Sequence, residues 1–133
     1  MERVYVDTCI FMDALLDRKN KSGRDLGTPA MNLFSRSAAC QFEIIVSSWT
    51  LKELYKNVEK EKVRELLSNI NHKIDYCEYS EEDVNKSKKH SDHWQDFLHG
   101  IIAKRANADC IITRNLDDFK ILTGVDVKLP SHV

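Results

Sequence analysis

The sequence predicts an α/β fold, with a mostly parallel central sheet of about four to five strands and helices on both of its faces. Short apolar runs typical of buried strands alternate with longer segments whose apolar residues recur at helical spacing. The chain has 133 residues, 42% of them hydrophobic, which is enough for one core and leaves little for a second. Residues 1–133 are therefore expected to form one domain.

The first predicted elements are a strand and two helices. Val4–Val6 is a short apolar strand, and the apolar period after it predicts a helix over Thr8–Leu16. The polar segment 17–27 has mixed charges and two glycines, which predicts a flexible loop. Thr28–Pro29 then supplies an N-cap and a proline at the first helical position, and this second helix runs to about Ala39.

The middle of the chain repeats the strand and helix alternation. Glu43–Ser47 is a β-branched strand, and the serines at its end can cap the helix that follows. Lys60–Ile70 has an apolar stripe at helical spacing, and Lys73–Cys77 is the expected third strand. Ser80–Asp83 has the pattern of a capping box, which predicts a further helix.

The last part of the chain predicts one more helix and two strands. Asp92 can cap a helix over His93–Arg105, which has an apolar face. Cys110–Thr113 is an apolar strand that ends at the polar turn 114–118. Val125–Leu129 is the expected edge strand before a proline.

Composition narrows the classes of function. Charged residues make up 31% and nearly cancel to a net charge of −1, so any contact with nucleic acid must use a local basic patch. No stretch reaches the roughly 18 to 20 apolar residues of a membrane span, and the first residues lack the order of a signal peptide, so we expect a cytoplasmic protein. The four cysteines form no C-x-x-C pair, which favours buried reduced thiols over disulfides or a zinc site.

Four acidic residues lie where strand or helix patterns meet the surface. The carboxyl ends of parallel strands meet at one edge of a sheet, where α/β folds bind ligands. We therefore expect these carboxylates to form one metal-binding cluster, which suits phosphodiester hydrolysis. Oxygen ligands favour Mg²⁺ or Mn²⁺ as the cofactor. The four residues are Asp7, Glu53, Asp96 and Asp118.

Each acid also has a simpler interpretation. Asp7 can cap the next helix, and Glu53 alone is more often part of a solvated helix face. Asp96 can complement a helix dipole, and Asp118 can be a turn former. Their joint placement favours the cluster. Without metal, the crowded carboxylates are expected to raise some of one another's pKa values.

The same residues resemble the PIN-domain family of metal-dependent ribonucleases, which includes the VapC-type toxins of toxin-antitoxin pairs. The resemblance spans nearly the whole chain. It is carried by the segments 4–8 (VYVDT), 46–54 (VSSWTLKEL), 96–99 (DFLH) with Ala103, and 108–119 (ADCIITRNLDDF).

The resemblance implies an endoribonuclease in which Asp7, Glu53 and Asp96 surround one or two divalent ions, with either Asp118 or Asn115 at the last position. It also implies RNA as substrate, an antitoxin protein as a candidate partner, and a homodimer. Around the ligands, Thr8, Thr113 and Asn115 are expected to hold the carboxylates, and Lys104, Arg105 and Arg114 to bind phosphates.

Two histidines and two tryptophans near these motifs are open to more than one interpretation. His93 and His99 flank Asp96 by three residues and share its helix face, where either can contact substrate. A hydrogen-bonded or exposed histidine is the more common case. Trp49 and Trp94 are expected to anchor the core or an interface rather than to stack on bases.

Two other functions are weighed against the nuclease. A catalytically silent PIN-like module would bind RNA or protein, but the presence of all four acids disfavours it. A phosphoryl-transfer enzyme of the haloacid-dehalogenase type also has an Asp after the first strand. That scheme needs a second Asp where Cys9 stands.

Overall fold

The computed structural model describes residues 1–90, 92–117, 119 and 125–133, and a five-stranded sheet forms its centre. The strands lie in the order β3-β2-β1-β4-β5, and every neighbouring pair is parallel. The predicted α/β class and sheet are thus confirmed. The strands are β1 (Arg3–Val6), β2 (Glu43–Ser47), β3 (Ile74–Cys77), β4 (Cys110–Ile112) and β5 (Asp126–Lys128).

Six α-helices occur within the described residues. In those parts of the chain no helix combines the length and apolarity needed to cross a membrane. Short 3₁₀ turns lie before β3 and at the end of the chain. The helices are α1 (Thr8–Leu15), α2 (Gly27–Ala38), α3 (Ser48–Asn57), α4 (Lys60–Ile70), α5 (Glu81–His90) and α6 (Trp94–Arg105).

Local hydrogen bonds decide where the helices begin. The capping box before α5 is present, because the Ser80 backbone N–H donates to Asp83 Oδ2 at 3.0 Å and the Asp83 N–H donates to Ser80 Oγ at 3.2 Å. Helix α2 starts at Gly27 instead of Pro29, since Asp25 Oδ1 accepts from the backbone N–H groups of Gly27 and Thr28, at 2.9 and 3.1 Å. The side chain that accepts these bonds at the start of α2 is therefore Asp25 and not the predicted cap, Thr28.

Helix α6 and the cysteines also differ from expectation. Helix α6 begins at Trp94, and its N-cap position is held by His93, without a side-chain capping bond, instead of by the predicted Asp92. All four cysteines are free thiols, as predicted, and Cys110 is buried. Cys40 is exposed, however, because it lies in the turn after α2 with a positive φ of 68°.

Alternating side chains give the sheet two apolar faces. Val4 and Val6 point toward one face, which α1, α2, α3 and α4 cover. Tyr5 and Ile45 point toward the other, where α6 packs. These four strand residues are fully buried. The sheet is therefore a middle layer between helices, as the sequence predicts.

The loop predicted over residues 17–27 is present between α1 and α2. A bridge pairs Lys19 with Asp25, and the Asn20 side chain accepts from the backbone N–H groups of Ser22 and Arg24, at 3.0 and 2.9 Å. These bonds fold the segment back on itself before α2 begins.

The strand order places the site. The chain adds β2 and β3 on one side of β1 and later adds β4 and β5 on its other side. The order in which strands are added therefore reverses at β1, although all the strands are parallel. In such sheets the crevice lies beyond the carboxyl ends of the strands at that point. Asp7 follows β1 there, and its backbone N–H donates to Ile112 O at 2.9 Å.

Replacing Ile45 with alanine should destabilise the protein by about 2 to 5 kcal/mol, because this fully buried side chain lies on an interior strand. Urea unfolding measures the change in the free energy of unfolding. Met31→Ala is the control, since Met31 is 43% exposed and its replacement should cost less than about 0.5 kcal/mol. Equal effects of the two substitutions would contradict this description of the core.

Candidate acidic site

Asp7 is a buried carboxylate that does not cap the helix after it. It occupies the N-cap position of α1 and is 5% exposed, yet its side chain makes no capping bond. Its Oδ2 instead accepts from Thr113 Oγ1 at 2.8 Å and from the Cys9 thiol at 3.1 Å. The hydrogen bonds of the described residues leave Oδ1 without a donor, and it faces His99 Nε2 at 3.6 Å. The capping interpretation therefore does not explain this side chain.

Glu53 reaches the same place from α3. Its Oε1 lies 2.7 Å from His99 Nε2 and accepts from Thr8 Oγ1, also at 2.7 Å. The Glu53 side chain is 27% exposed, so it remains in contact with solvent. His99, at 2% exposure, therefore stands between the carboxylates of Glu53 and Asp7.

Tyr5 holds the other side of the imidazole. Its hydroxyl lies 2.6 Å from His99 Nδ1 and 2.8 Å from Ser47 Oγ. Ser47 also caps α3, because its Oγ accepts from the Thr50 N–H at 3.1 Å. When Nε2 donates to Glu53 in the neutral imidazole, Nδ1 accepts from the tyrosine hydroxyl. This buried series of bonds connects α6 to the strands β1 and β2.

The hydrogen bond to His99 changes the titration of both partners. Burial alone would raise the pKa of Glu53, but the bonds from His99 and Thr8 bring that pKa below its usual range. Burial alone would lower the pKa of His99, but the bond to Glu53 and the charges of Asp7 and Asp96 raise it. Glu53 therefore does not show the raised pKa that crowded carboxylates predict, because an imidazole lies between them.

The described structure brings together three of the four predicted acids. Asp7 and Glu53 both contact His99, and the half-buried Asp96 lies close enough to act on its charge. Asp118 lies outside the described residues. Within the described parts of the chain, no three His, Cys, Asp or Glu side chains are grouped as metal ligands.

The residues predicted to support the acids have different contacts. Thr8 and Thr113 donate to Glu53 and Asp7 through their hydroxyls. Asn115 is exposed, and it is its backbone N–H that donates to Thr113 Oγ1, at 3.1 Å. Sequence reasoning missed the role of Tyr5. No local pattern indicates it, since the two residues that its hydroxyl joins, Ser47 and His99, lie far along the chain.

Comparison with known proteins identifies the fold family. Residues 3–117 match the family model of the PIN domain. The chain belongs to the PIN domain family. The matched range contains Asp7, Glu53 and Asp96 and ends one residue before Asp118.

A solved structure has the same fold as this PIN domain. It is the crystal structure of VapBC2 from Rickettsia felis bound to a DNA fragment from their promoter, at a TM-score of 0.60 and 19% sequence identity. The likeness covers 96% of this chain and 98% of that chain. No curated protein matches the sequence. At 19% identity, the similarity between the two structures establishes a shared fold and no shared function.

The three basic residues predicted to bind phosphates are placed differently on the PIN domain. Arg114 is held by the buried Asp13, at 2.6 Å from Nε to Oδ2 and 3.1 Å from Nη2 to Oδ1. Arg105 donates to Asp83 Oδ2 and to a backbone carbonyl, both at 2.6 Å. Lys104 is exposed. The two arginines thus have structural contacts, and phosphate binding by all three stays a prediction.

His99→Ala should destabilise the metal-free protein by about 2 to 3 kcal/mol, because it removes one buried hydrogen-bond partner from each of Tyr5 and Glu53. Urea unfolding in chelator is the measurement. His132→Ala, at an exposed position, is the control and should change the free energy by less than about 0.5 kcal/mol. A similar small change for both variants would argue against the buried network.

Acid should remove the stabilising effect of the Asp83 carboxylate. Burial alone would raise the pKa of Asp83, but the ion pair with Arg105 and the Ser80 N–H lower it. A carboxyl with a lowered folded pKa stabilises above its unfolded pKa, about 3.9, and this stabilisation is lost as pH falls through the folded pKa.

The difference in unfolding free energy between wild type and Asp83→Asn should therefore shrink below about pH 4. Unfolding by urea at pH 7 and at about pH 3 measures it. A difference that stays constant over this range would show that the charge of Asp83 is not responsible.

Proposed function

We propose that this PIN domain is a metal-dependent endoribonuclease that hydrolyses RNA phosphodiester bonds. The observation that carries the proposal is the buried Asp7 carboxylate, which does not cap its helix, accepts no hydrogen bond at Oδ1 from the described residues, and shares His99 with Glu53. The position beyond the strand ends is where α/β folds bind ligands. Family membership supports the same activity, since the sequence resembles the metal-dependent ribonucleases of the PIN-domain family.

The residues fit a hard divalent cation. Asp7 offers a carboxylate oxygen, and the lowered pKa of Glu53 keeps its carboxylate ionised at neutral pH. Oxygen donors of this kind suit Mg²⁺ or Mn²⁺ better than soft metals. In our proposal Asp7, Glu53, Asp96 and Asp118 hold the ion, with Asn115 as the alternative to Asp118. A bound ion of this class supplies an activated water and charge stabilisation at the attacked phosphate.

The other residues of the site keep the carboxylates in place. Thr113 and Cys9 donate to Oδ2 of Asp7, which orients that carboxylate and leaves Oδ1 for a ligand. Thr8 and His99 do the same for Oε1 of Glu53. Each acid therefore has one oxygen bound by the protein. Metal-ligating carboxylates are typically oriented in this way, by hydrogen bonds from neighbouring side chains.

The proposed substrate is RNA in single-stranded or loop form, in a cytoplasmic setting. Lys104, Arg105 and Arg114 are proposed as phosphate contacts, and Lys104 is the exposed member of the three. For the two arginines, binding would compete with the ion pairs to Asp83 and Asp13.

An antitoxin protein and a second copy of the chain are the proposed partners. The resemblance to VapC-type toxins and the fold shared with VapBC2 from Rickettsia felis support an antitoxin. The homodimer rests on the resemblance alone. Analytical ultracentrifugation of the purified protein measures it directly, and a monomer at all concentrations would remove it from the proposal.

Wild-type protein should cleave single-stranded RNA in Mg²⁺ or Mn²⁺ and not in chelator, and Asp7→Asn should reduce cleavage by about 100-fold or more, because a neutral side chain no longer attracts the ion. Gel analysis of labelled RNA is the measurement. Asp126→Asn, an exposed carboxylate on β5, is the control of equal charge change and should cleave like wild type.

Metal binding itself has a second readout. A Mg²⁺ concentration of about 100 times Kd should stabilise wild type by about 2.7 kcal/mol, and this gain should vanish in Asp7→Asn. Folded wild type that gains no stability from metal and cleaves no RNA would favour the alternative function, a catalytically silent PIN-like module that binds RNA or protein.

A further inference from the structure

An aromatic groove lies beside the acidic site, between α3, α5 and α6. Trp49, Tyr79 and Trp94 line it, with ring centroids 5.3 Å apart for Trp49 and Tyr79 and 5.6 Å apart for the two tryptophans. Its volume is about 540 Å³. That is within the range of about 300 to 1,000 Å³ found for ligand pockets.

Lysines surround these aromatic rings. Lys52 Nζ lies 5.6 Å from the Trp49 ring centroid, and Lys88 Nζ lies 5.0 Å from that of Trp94. Lys56 also lines the groove, and Glu81 is the acidic residue of the lining. Three lysines against one glutamate make the groove locally basic, although the net charge of the whole chain is −1. A polyanion with flat rings is complementary to this combination.

The two tryptophans differ in how much of each ring is exposed to solvent. Trp49 is 6% exposed and belongs to the core, yet its indole N–H has no hydrogen-bond partner among the described residues. A buried donor without an acceptor is rare in proteins. Tyr79 and Trp94 are half-buried and keep part of their rings at the surface.

The groove is continuous with the acidic site along α3. Glu53 lies one helical turn after Trp49 on α3, and Lys52 precedes it directly. A strand that occupies the groove is therefore led toward the carboxylates.

We propose that this groove binds the single-stranded RNA substrate on its way to the acidic site. Bases stack on the exposed parts of Trp94 and Tyr79, and phosphates bind Lys52, Lys56 and Lys88. In the free protein the lysines lie over the rings, and their long exposed side chains swing to the phosphates when RNA binds. The assignment of RNA as the ligand rests on the proposed function.

Tryptophan fluorescence tests the groove directly, because Trp49 and Trp94 are the two tryptophans of the chain and both line it. The Asp7→Asn protein in chelator is titrated with short single-stranded RNA, so that no cleavage interferes. The expected result is saturable quenching that weakens as salt increases. The same RNA as a duplex should quench weakly, since its bases are already stacked on one another.

Substitution of the lysines distinguishes RNA binding in the groove from nonspecific attraction of RNA to any surface lysine. In the same background, Lys52→Gln plus Lys88→Gln should weaken binding about fivefold or more, and both positions are exposed, so folding is preserved. The matched control is Lys60→Gln plus Lys62→Gln on α4. Lys60 also lies over an aromatic ring, 5.2 Å from the centroid of Tyr55, but away from the groove. The control should bind within about twofold of its parent.

Trp94→Leu keeps an apolar side chain and removes the stacking surface, so it should weaken binding about tenfold. Circular dichroism confirms that each variant is folded. Equal binding by the groove and control variants, or no quenching by RNA, overturns the proposal. Polyglutamate that quenches as strongly as RNA overturns it in favour of an acidic peptide.

The fluorescence test of the groove and the cleavage test of the proposed nuclease can fail independently. Wild-type cleavage in metal without any tryptophan response would leave the nuclease in place and remove the groove. Saturable, lysine-dependent quenching without cleavage in any metal would establish the groove as an RNA site and remove the catalytic function. Each result therefore decides one of the two claims.

Discussion

The hydrogen bond between His99 Nε2 and Glu53 Oε1, 2.7 Å long, connects the parts of this PIN domain that carry its acidic residues. His99 belongs to α6, which covers one face of the sheet, and Glu53 belongs to α3. Tyr5 extends the connection into the central strand β1 from behind the imidazole. The position of each carboxylate relative to the others therefore depends on a buried histidine that joins two helices to the sheet.

This arrangement also controls charge at the site. Asp7 and Glu53 both approach Nε2 of one imidazole, and the N–H at that atom offsets part of their repulsion in the metal-free protein. The consequence is a lowered pKa for Glu53 and an ionised carboxylate at neutral pH. Thr113 and Thr8 each hold one oxygen of these carboxylates, so a cation at the proposed site would meet side chains that are already oriented.

Features that depend on neighbouring residues could be predicted from the sequence, and features that depend on distant ones could not. Strand alternation and helical periodicity predicted the sheet and its helices, and the capping box at Ser80 follows from a four-residue pattern. The start of α2 was misplaced because a carboxylate two residues upstream caps it. The lowered pKa of Glu53 could not be predicted, because His99, whose hydrogen bond lowers it, lies 46 residues away.

The central claim is that the carboxylates around His99 form a divalent-cation site. Anomalous diffraction from crystals soaked in Mn²⁺, at a concentration that supports RNA cleavage, tests it most directly. The account predicts a manganese peak against the Asp7 carboxylate, and its neighbours would also show whether Asp118 or Asn115 completes the site. Manganese bound only elsewhere on the protein, or no peak at all, would contradict the account.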